Sequence, residues 1–575
     1  MSPSRRALLL LLCLSLAGCG QPTAPAPDLI VVNGLVWTGD RDRPEAEALA
    51  IRDGRIVALG TSDTVRAMAT PATRVIDVQG RRVVPGFNDA HWHLPLRRPI
   101  DLSGAGTLQE IQRRLAPARA GGTSAEWVLG RGWGPTDFPG REPHRRVLDA
   151  DFPARPVLLT DRDGHQVLVN GHVLALAGIT RDTPDPPNGR IVRDATGEPT
   201  GLLQEAAMAL AQRLLPAVTP DEAYAAVLGE LHQAAAFGLT SVQDASASDA
   251  GGLRVAAYQR AAREGTLPIR VRASMPFEKG VTAQRLAELV GLRDAHRDGW
   301  LSFGIVKGML DGTVDAHTAA MLEPFADRPT ESGLPMWDQA TLNVTVAAYD
   351  KAGLQVQLHA VGDRAVRMAL DAYAHAARVN GTSGRRHRIE HVEVASAADL
   401  PRFRQLGVIA STQAMFASPD AVTLGNFAPA LGPARASRAD AFALFDEAGA
   451  SQAFGSDYPV FTMEVMRGIH AAVTRQLPDG TPVGGWYPRN RIDVATALRH
   501  YTAGAAYASR DDHEKGTLAP GRMADLAVLS EDVFAVAPEH LWRVKAVVTV
   551  VGGRIVEGRT ATSSRPPSGQ GQGKV

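Results

Sequence analysis

Apolar and polar positions alternate in short stretches through the middle of the chain, and between those stretches lie alanine-rich runs of helical texture. In "LQVQLHAVGD", Leu354, Val356 and Leu358 share one face of an extended strand, and Gln355, Gln357 and His359 share the other, because successive side chains point to opposite sides. The same reading predicts strands at 83–90, 240–245, 269–274, 303–310, 354–359, 387–391, 408–413 and 451–457. Strands alternating with helical runs are the pattern of repeated βα units on a parallel sheet. Eight of them are enough to close a (β/α)8 TIM barrel, an α/β fold in which apolar side chains face the surrounding helices.

One gap is too long for a single helix. Residues 94 to about 235 carry their own text, "EWVLGRGWGPTDFPG" and "VLLTDRDGHQVLVNGHVL", and read as a segment inserted after the first strand, on the face where barrels of this kind carry their active sites. The two ends differ again. Residues 28–82 are short apolar runs broken by the hairpin signals Asn33-Gly34 and Asp53-Gly54, and 514–560 repeat that texture. They predict one composite β-sandwich domain built from both ends around a main domain at 83–513. The tail 561–575 is almost free of apolar residues and is expected to be disordered.

Residues 1–18 have two arginines, a short apolar run and then small residues, the layout of an export signal. The run Leu16-Ala17-Gly18-Cys19 resembles a bacterial lipobox. That resemblance implies lipidation of Cys19, a tether over 19–27, and anchoring to the cell envelope, on the periplasmic side of the outer membrane in a Gram-negative host. Cys13 and Cys19 are the only cysteines, so removal of the signal leaves no pair for an internal disulfide. Lys+Arg and Asp+Glu balance at 61 each in 575 residues, which gives no basic field for nucleic acid and favours small-molecule chemistry.

Chemistry collects at the carboxyl ends of the predicted strands. "VVPGFNDAHWHL" places His91 and His93 on the face shared with Asp89. His359 ends the fifth strand, His391 the sixth and Asp457 the eighth, while Lys307 lies inside the apolar fourth. Singly, each has an ordinary explanation: a core histidine with a hydrogen bond, a lysine reaching solvent, an aspartate capping the next segment. Their recurrence at one end of one sheet is what points to a site. Glu390 and Asp363, at or just beyond strand ends, read as supporting residues.

The segments "PGFNDAHWH", "VKGMLDG", "LHAVGD", "IEHVE", "FGSDYPV" and "GTLAPGRMADLAVL" together resemble the metal-dependent amidohydrolase superfamily, in the amidohydrolase-3 branch with N-substituted formamide deformylases and D-aminoacylase relatives. The resemblance runs from about 28 to 560. It implies that His91, His93, His359, His391 and Asp457 surround one or two divalent metals, most often zinc. It also sets Lys307 where many binuclear relatives carry a carboxylated, metal-bridging lysine.

The expected reaction is hydrolysis of an amide-type C–N bond, N-formyl or N-acyl, in a small molecule, with Asp457 as proton shuttle. His165 in "DRDGHQ" is expected to stabilise the oxyanion, and Trp133 to position substrate from the inserted segment. Two alternatives use the same residues. One is ring opening of a cyclic amide or deamination of a heterocycle; the other is a non-catalytic lipoprotein that holds metal or a small ligand. The sequence does not give an oligomeric state.

Overall fold

The structure is a computed structural model describing residues 25–97, 99–120, 127–246, 248, 252–296, 298–381 and 384–558. The export signal, Cys19, most of the tether and the tail lie outside the described residues. Among those described, no helix is long and apolar enough to cross a membrane.

Eight parallel strands form the centre: Phe87–Trp92, Leu239–Asp244, Arg270–Pro276, Leu301–Met309, Gln355–Ala360, Arg388–His391, Ile409–Gln413 and Ser451–Gly455, each hydrogen-bonded to the next in that order. The barrel is nearly closed. At its seam Asp457 N–H donates to His91 O at 2.7 Å and His93 N–H to Tyr458 O at 2.9 Å. A Cβ on Gly455 would lie 2.4 Å from His91 N, so glycine there is what lets the last strand approach the first.

The fifth strand shows how the alternation becomes structure. Val356 and Leu358 enter the core between sheet and helices, each fully buried aliphatic side chain contributing about 1.5–3 kcal/mol relative to exposure. The helix that follows, Asp363–Asn380, buries Ala365, Val366, Met368, Ala369, Leu370, Ala372, Tyr373 and Ala376, the stripe expected of an amphipathic helix on a sheet. Asp363 at its first turn accepts Leu322 N–H at 2.8 Å, which makes it a structural residue.

The run expected as one strand at 83–90 is two. Arg82–Pro85 pairs with Leu35–Trp37 and with Leu526–Leu529, and the chain then crosses at Gly86 to begin the barrel at Phe87. A Cβ on Gly86 would meet Thr240 Cγ2 at 2.2 Å. Strands from both chain ends therefore share a six-stranded sheet. A second, four-stranded sheet comes from the amino-terminal region alone, and the two contribute to a common core with Leu49, Ile51, Val83, Leu526 and Val550.

After the first barrel strand, six strands between Ile100 and Glu205 form a separate sheet with its own apolar clusters. The helix Pro220–Ala236, started by a Thr219/Glu222 capping box, packs Ala223, Val227, Leu231 and Ala234 into the barrel core and delivers the chain to the second strand.

Candidate active site

The carboxyl ends of the barrel strands and the inserted sheet enclose a cavity of about 400 Å³. His93, Lys307, His359, His391 and Asp457 line it from the barrel, and Arg162, His165 and Glu205 from the insertion. Three backbone positions at its floor are left-handed: His391 at φ 71°, Val392 at φ 52° and Asp457 at φ 55°. Such conformations cost of order 1–3 kcal/mol each and persist where surrounding structure enforces them. Here they turn the chain at the two strand ends that supply His391 and Asp457.

His91 is fully buried. Its Nδ1 donates to Glu390 Oε2 at 2.5 Å, which leaves Nε2 to face His93 Nε2, Lys307 Nζ and Asp457 Oδ1, each at 3.3 Å. Glu390 is itself fixed by Arg388, whose Nε and second terminal nitrogen donate to its two oxygens at 2.9 and 3.0 Å. Arg388 also donates to Ala90 O at 2.6 Å and to Ser411 Oγ at 2.9 Å. His391 repeats the logic: Nδ1 donates to Gln413 Oε1 at 2.9 Å, freeing Nε2. Imidazoles oriented this way through one nitrogen, with the other unprotonated, are the usual form of metal ligands.

His91, His391 and Asp457 each offer one ligand atom within 4.8 Å of the others. His93 joins through Asp457 Oδ1, 2.9 Å from its Nε2. His359 is beside them, its ring centroid 4.5 Å from that of His391, but its Nε2 donates to Gly312 O at 3.2 Å. The donor set of imidazole nitrogens and a carboxylate fits a borderline divalent metal such as zinc.

Burial first, and neighbouring charges after it, set the protonation of these groups. Burial lowers His91 well below the usual histidine value, and Lys307, His93 and Arg388 push it further. Burial likewise lowers His391, helped by His359, His91 and Lys307, and His359, helped by Lys307 and His165. Lys307, 2% exposed, is brought down to about 8 by burial, against the pull of Glu390 and Asp457.

His165 behaves oppositely. Burial would lower it, but the hydrogen bonds of Nδ1 to both Glu205 oxygens at 3.1 Å, with the charges of Glu205, Asp161 and Asp163, raise it to about 9. Its ring centroid lies 6.0 Å from that of His359.

Trp133 does not line the cavity, and the expectation that it positions substrate is corrected. It is fully buried in the insertion, where its indole N–H donates to Leu159 O at 2.9 Å and its ring meets Phe138 edge-on at 5.3 Å. Val128, Gly130 and Trp133 are buried along a strand with a register shift between Arg131 and Trp133, and that shift sets the indole into the core.

Two residues of consequence were not singled out from sequence. Glu205 holds His165 from 40 positions away, a separation without local signal. Asp311 is the aspartate in "VKGMLDG". It is fully buried, accepts N–H groups of Val361, Gly362 and Ala320 at 3.0, 2.9 and 2.9 Å, and ties the loops after the fourth and fifth strands together. Burial raises its carboxyl to about 7 against those three bonds.

A model of an amidohydrolase family matches residues 74–557. Protein LONG AFTER FAR-RED 3 of Arabidopsis thaliana is 33% identical over 545 residues, 93% of this chain and 92% of that protein. An N-substituted formamide deformylase of Arthrobacter pascens is 28% identical over 561 residues, 93% of this chain and 99% of that protein. The crystal structure of an uncharacterized metal-dependent hydrolase from Pyrococcus horikoshii superposes with a TM-score of 0.71 at 26% identity, covering 89% of this chain and 99% of that one.

Proposed function

The chain belongs to the amidohydrolase family, which makes it a metal-dependent hydrolase of carbon–nitrogen bonds, and we propose that its substrates are small N-formyl or N-acyl amides. The observation that carries this reading is the convergence of His91, His391 and Asp457, with donor atoms within 4.8 Å of one another at the mouth of the barrel. The formamide deformylase, similar over 93% of this chain, supports the choice of amide.

His91, His93, His359, His391 and Asp457 would hold one or two divalent cations, with Lys307 among them; zinc suits these donors. A cation bound there supplies water that ionises near neutral pH and a Lewis acid for the amide carbonyl. The protein's own groups do the rest. Asp457, within 3.3 Å of two imidazoles, accepts the proton of the attacking water and returns it to the departing nitrogen. His165, protonated below about 9, donates to the oxygen on which negative charge develops. Glu390 and Arg388 keep His91 in the tautomer that leaves Nε2 free.

The shared core of the two terminal sheets supports a composite β-sandwich domain. The text of residues 1–19 supports export and lipid attachment at Cys19.

The test is product analysis on a panel of N-formyl amides, N-acyl amides, cyclic amides and aminated heterocycles. Formate or another free acid with an equivalent of amine is the expected result. Ammonia from the heterocycles alone, or ring-opened acid from the cyclic amides alone, would replace the proposal with deaminase or cyclic amidohydrolase activity.

A further inference from the structure

The cavity wall carries four carboxyl groups that the reaction above does not use: Asp163, Asp315, Glu393 and Asp440. Glu393 and Asp440 are only 7% and 5% exposed. The charges that act on Glu393 are those of other carboxyls, whereas Asp440 feels Arg475. Their backbones are joined, since Asp440 N–H donates to Glu393 O at 3.1 Å, and Asp440 is held left-handed at φ 46°.

What lies behind these groups is mostly apolar, although Asp315 hydrogen-bonds Thr313 and Asp163. Val314, Val394 and Ala439, the chain neighbours of Asp315, Glu393 and Asp440, belong to one buried apolar cluster with Phe427 and Trp486. Two arginines serve part of the set: Arg162 pairs with Asp163, and the charge of Arg475 acts on Asp440. Arg475 donates to the backbone carbonyls of Trp486, Asp440 and Ala439, and Arg162 pairs with Asp163 and Asp420. A buried carboxyl without a counter-charge is held in its neutral form, and a cation entering through the cavity would favour its ionised form.

An organic cation suits this wall better than a metal ion. Among the described residues, the one set of three acidic or histidine donors within 4.8 Å of each other is His91, His391 and Asp457, so no three of these four carboxyls are gathered as a metal's ligands would be. An ammonium or guanidinium directs several N–H donors outward and can reach dispersed acceptors. Phe416, Phe427 and Phe461 in the same cavity suit an apolar stem.

We infer that this wall is a recognition subsite for a cationic substrate group, a primary ammonium or guanidinium carried on an apolar stem attached to the scissile amide. The inference rests on the hydrolase reading above and names its substrate class.

The experiment uses the metal-loaded protein and two amides of equal length, N-formyl-1,5-diaminopentane and N-hexylformamide. The cationic amide is expected to show a kcat/KM at least about tenfold higher, mostly through KM, and Glu393→Gln and Asp440→Asn are each expected to reduce that ratio about tenfold. Asparagine tolerates the left-handed backbone of position 440, and unfolding midpoints verify both folds. A ratio near one in the unsubstituted protein, or a ratio unchanged in both variants, overturns the inference.

Calorimetric binding of hexylammonium against hexanol separates this inference from the reading it rests on. Hexylammonium bound more tightly, and weakened by the same substitutions, supports the subsite even if no amide is hydrolysed, in which case the hydrolase reading alone fails. Amides hydrolysed without charge preference, and hexylammonium bound no better than hexanol, remove the subsite alone. Calcium or magnesium binding abolished by these substitutions, with no ammonium binding, would contradict the inference by making the cluster a metal site.

Discussion

Two histidine environments face one cavity and carry opposite charge. At the barrel ends, burial and the crowd of Lys307, Arg388 and neighbouring imidazoles hold His91, His359 and His391 neutral. On the inserted sheet, Glu205, Asp161 and Asp163 overcome the same burial and hold His165 protonated up to about 9. Burial is common to both, so the sign of the nearby charge decides. Neutral imidazoles are electron-pair donors suited to a metal, and an imidazolium is a proton donor suited to an oxyanion. In the proposed mechanism the barrel thus supplies the ligands and the insertion the proton donor.

The sharpest way to break the comparison is at Asp457, which has a foot in the ligand set and, in this account, moves the proton. Asp457→Asn should retain the fold and reduce kcat by about 10²–10⁴-fold, measured on the best amide of the panel. On the insertion side, His165→Gln should lower kcat by about 10²–10³-fold with bound metal unchanged, as expected for loss of an oxyanion donor.

The pH dependence sharpens the same pair. Because the folded value of His165 is raised from 6.5 to about 9, its protonated form contributes stability fully below pH 6.5, and that contribution is lost as pH rises through about 9. The difference in unfolding midpoint between the unsubstituted protein and His165→Gln should therefore be largest near pH 6 and shrink by pH 10. On the barrel side, Glu390→Gln removes the anion that orients His91 and should weaken metal affinity about 10- to 100-fold, read by competition with a chromophoric chelator. Trp133→Phe should be the mildest, costing about 1 kcal/mol of stability for the lost indole bond and leaving KM unchanged.

The barrel was legible because its signal is local. Alternation around His359 and small residues before Asp457 are visible within ten positions, and the observed strands fall at the expected places apart from the break at Gly86. That break is set by contact with Thr240, more than 150 positions away, and no window of sequence contains both. The same limit applies to the insertion. Trp133 reads as a substrate-positioning aromatic from its place in the inserted segment, yet a register shift with the neighbouring strand turns it into the core. Glu205 and Asp440 acquire their meaning from partners and neighbours that the fold assembles. His165 was picked out, but its charge depends on Glu205 and could not be read before the two were side by side.

The account is tested most directly by hydrolysis of the N-formyl panel after exhaustive chelation and stepwise return of zinc, with bound metal counted at each step, in the unsubstituted protein and in His391→Asn. Turnover should vanish with the metal and return in proportion to one or two equivalents, and the variant should neither retain the metal nor recover. Hydrolysis that persists without metal, or full recovery in the variant, would contradict it.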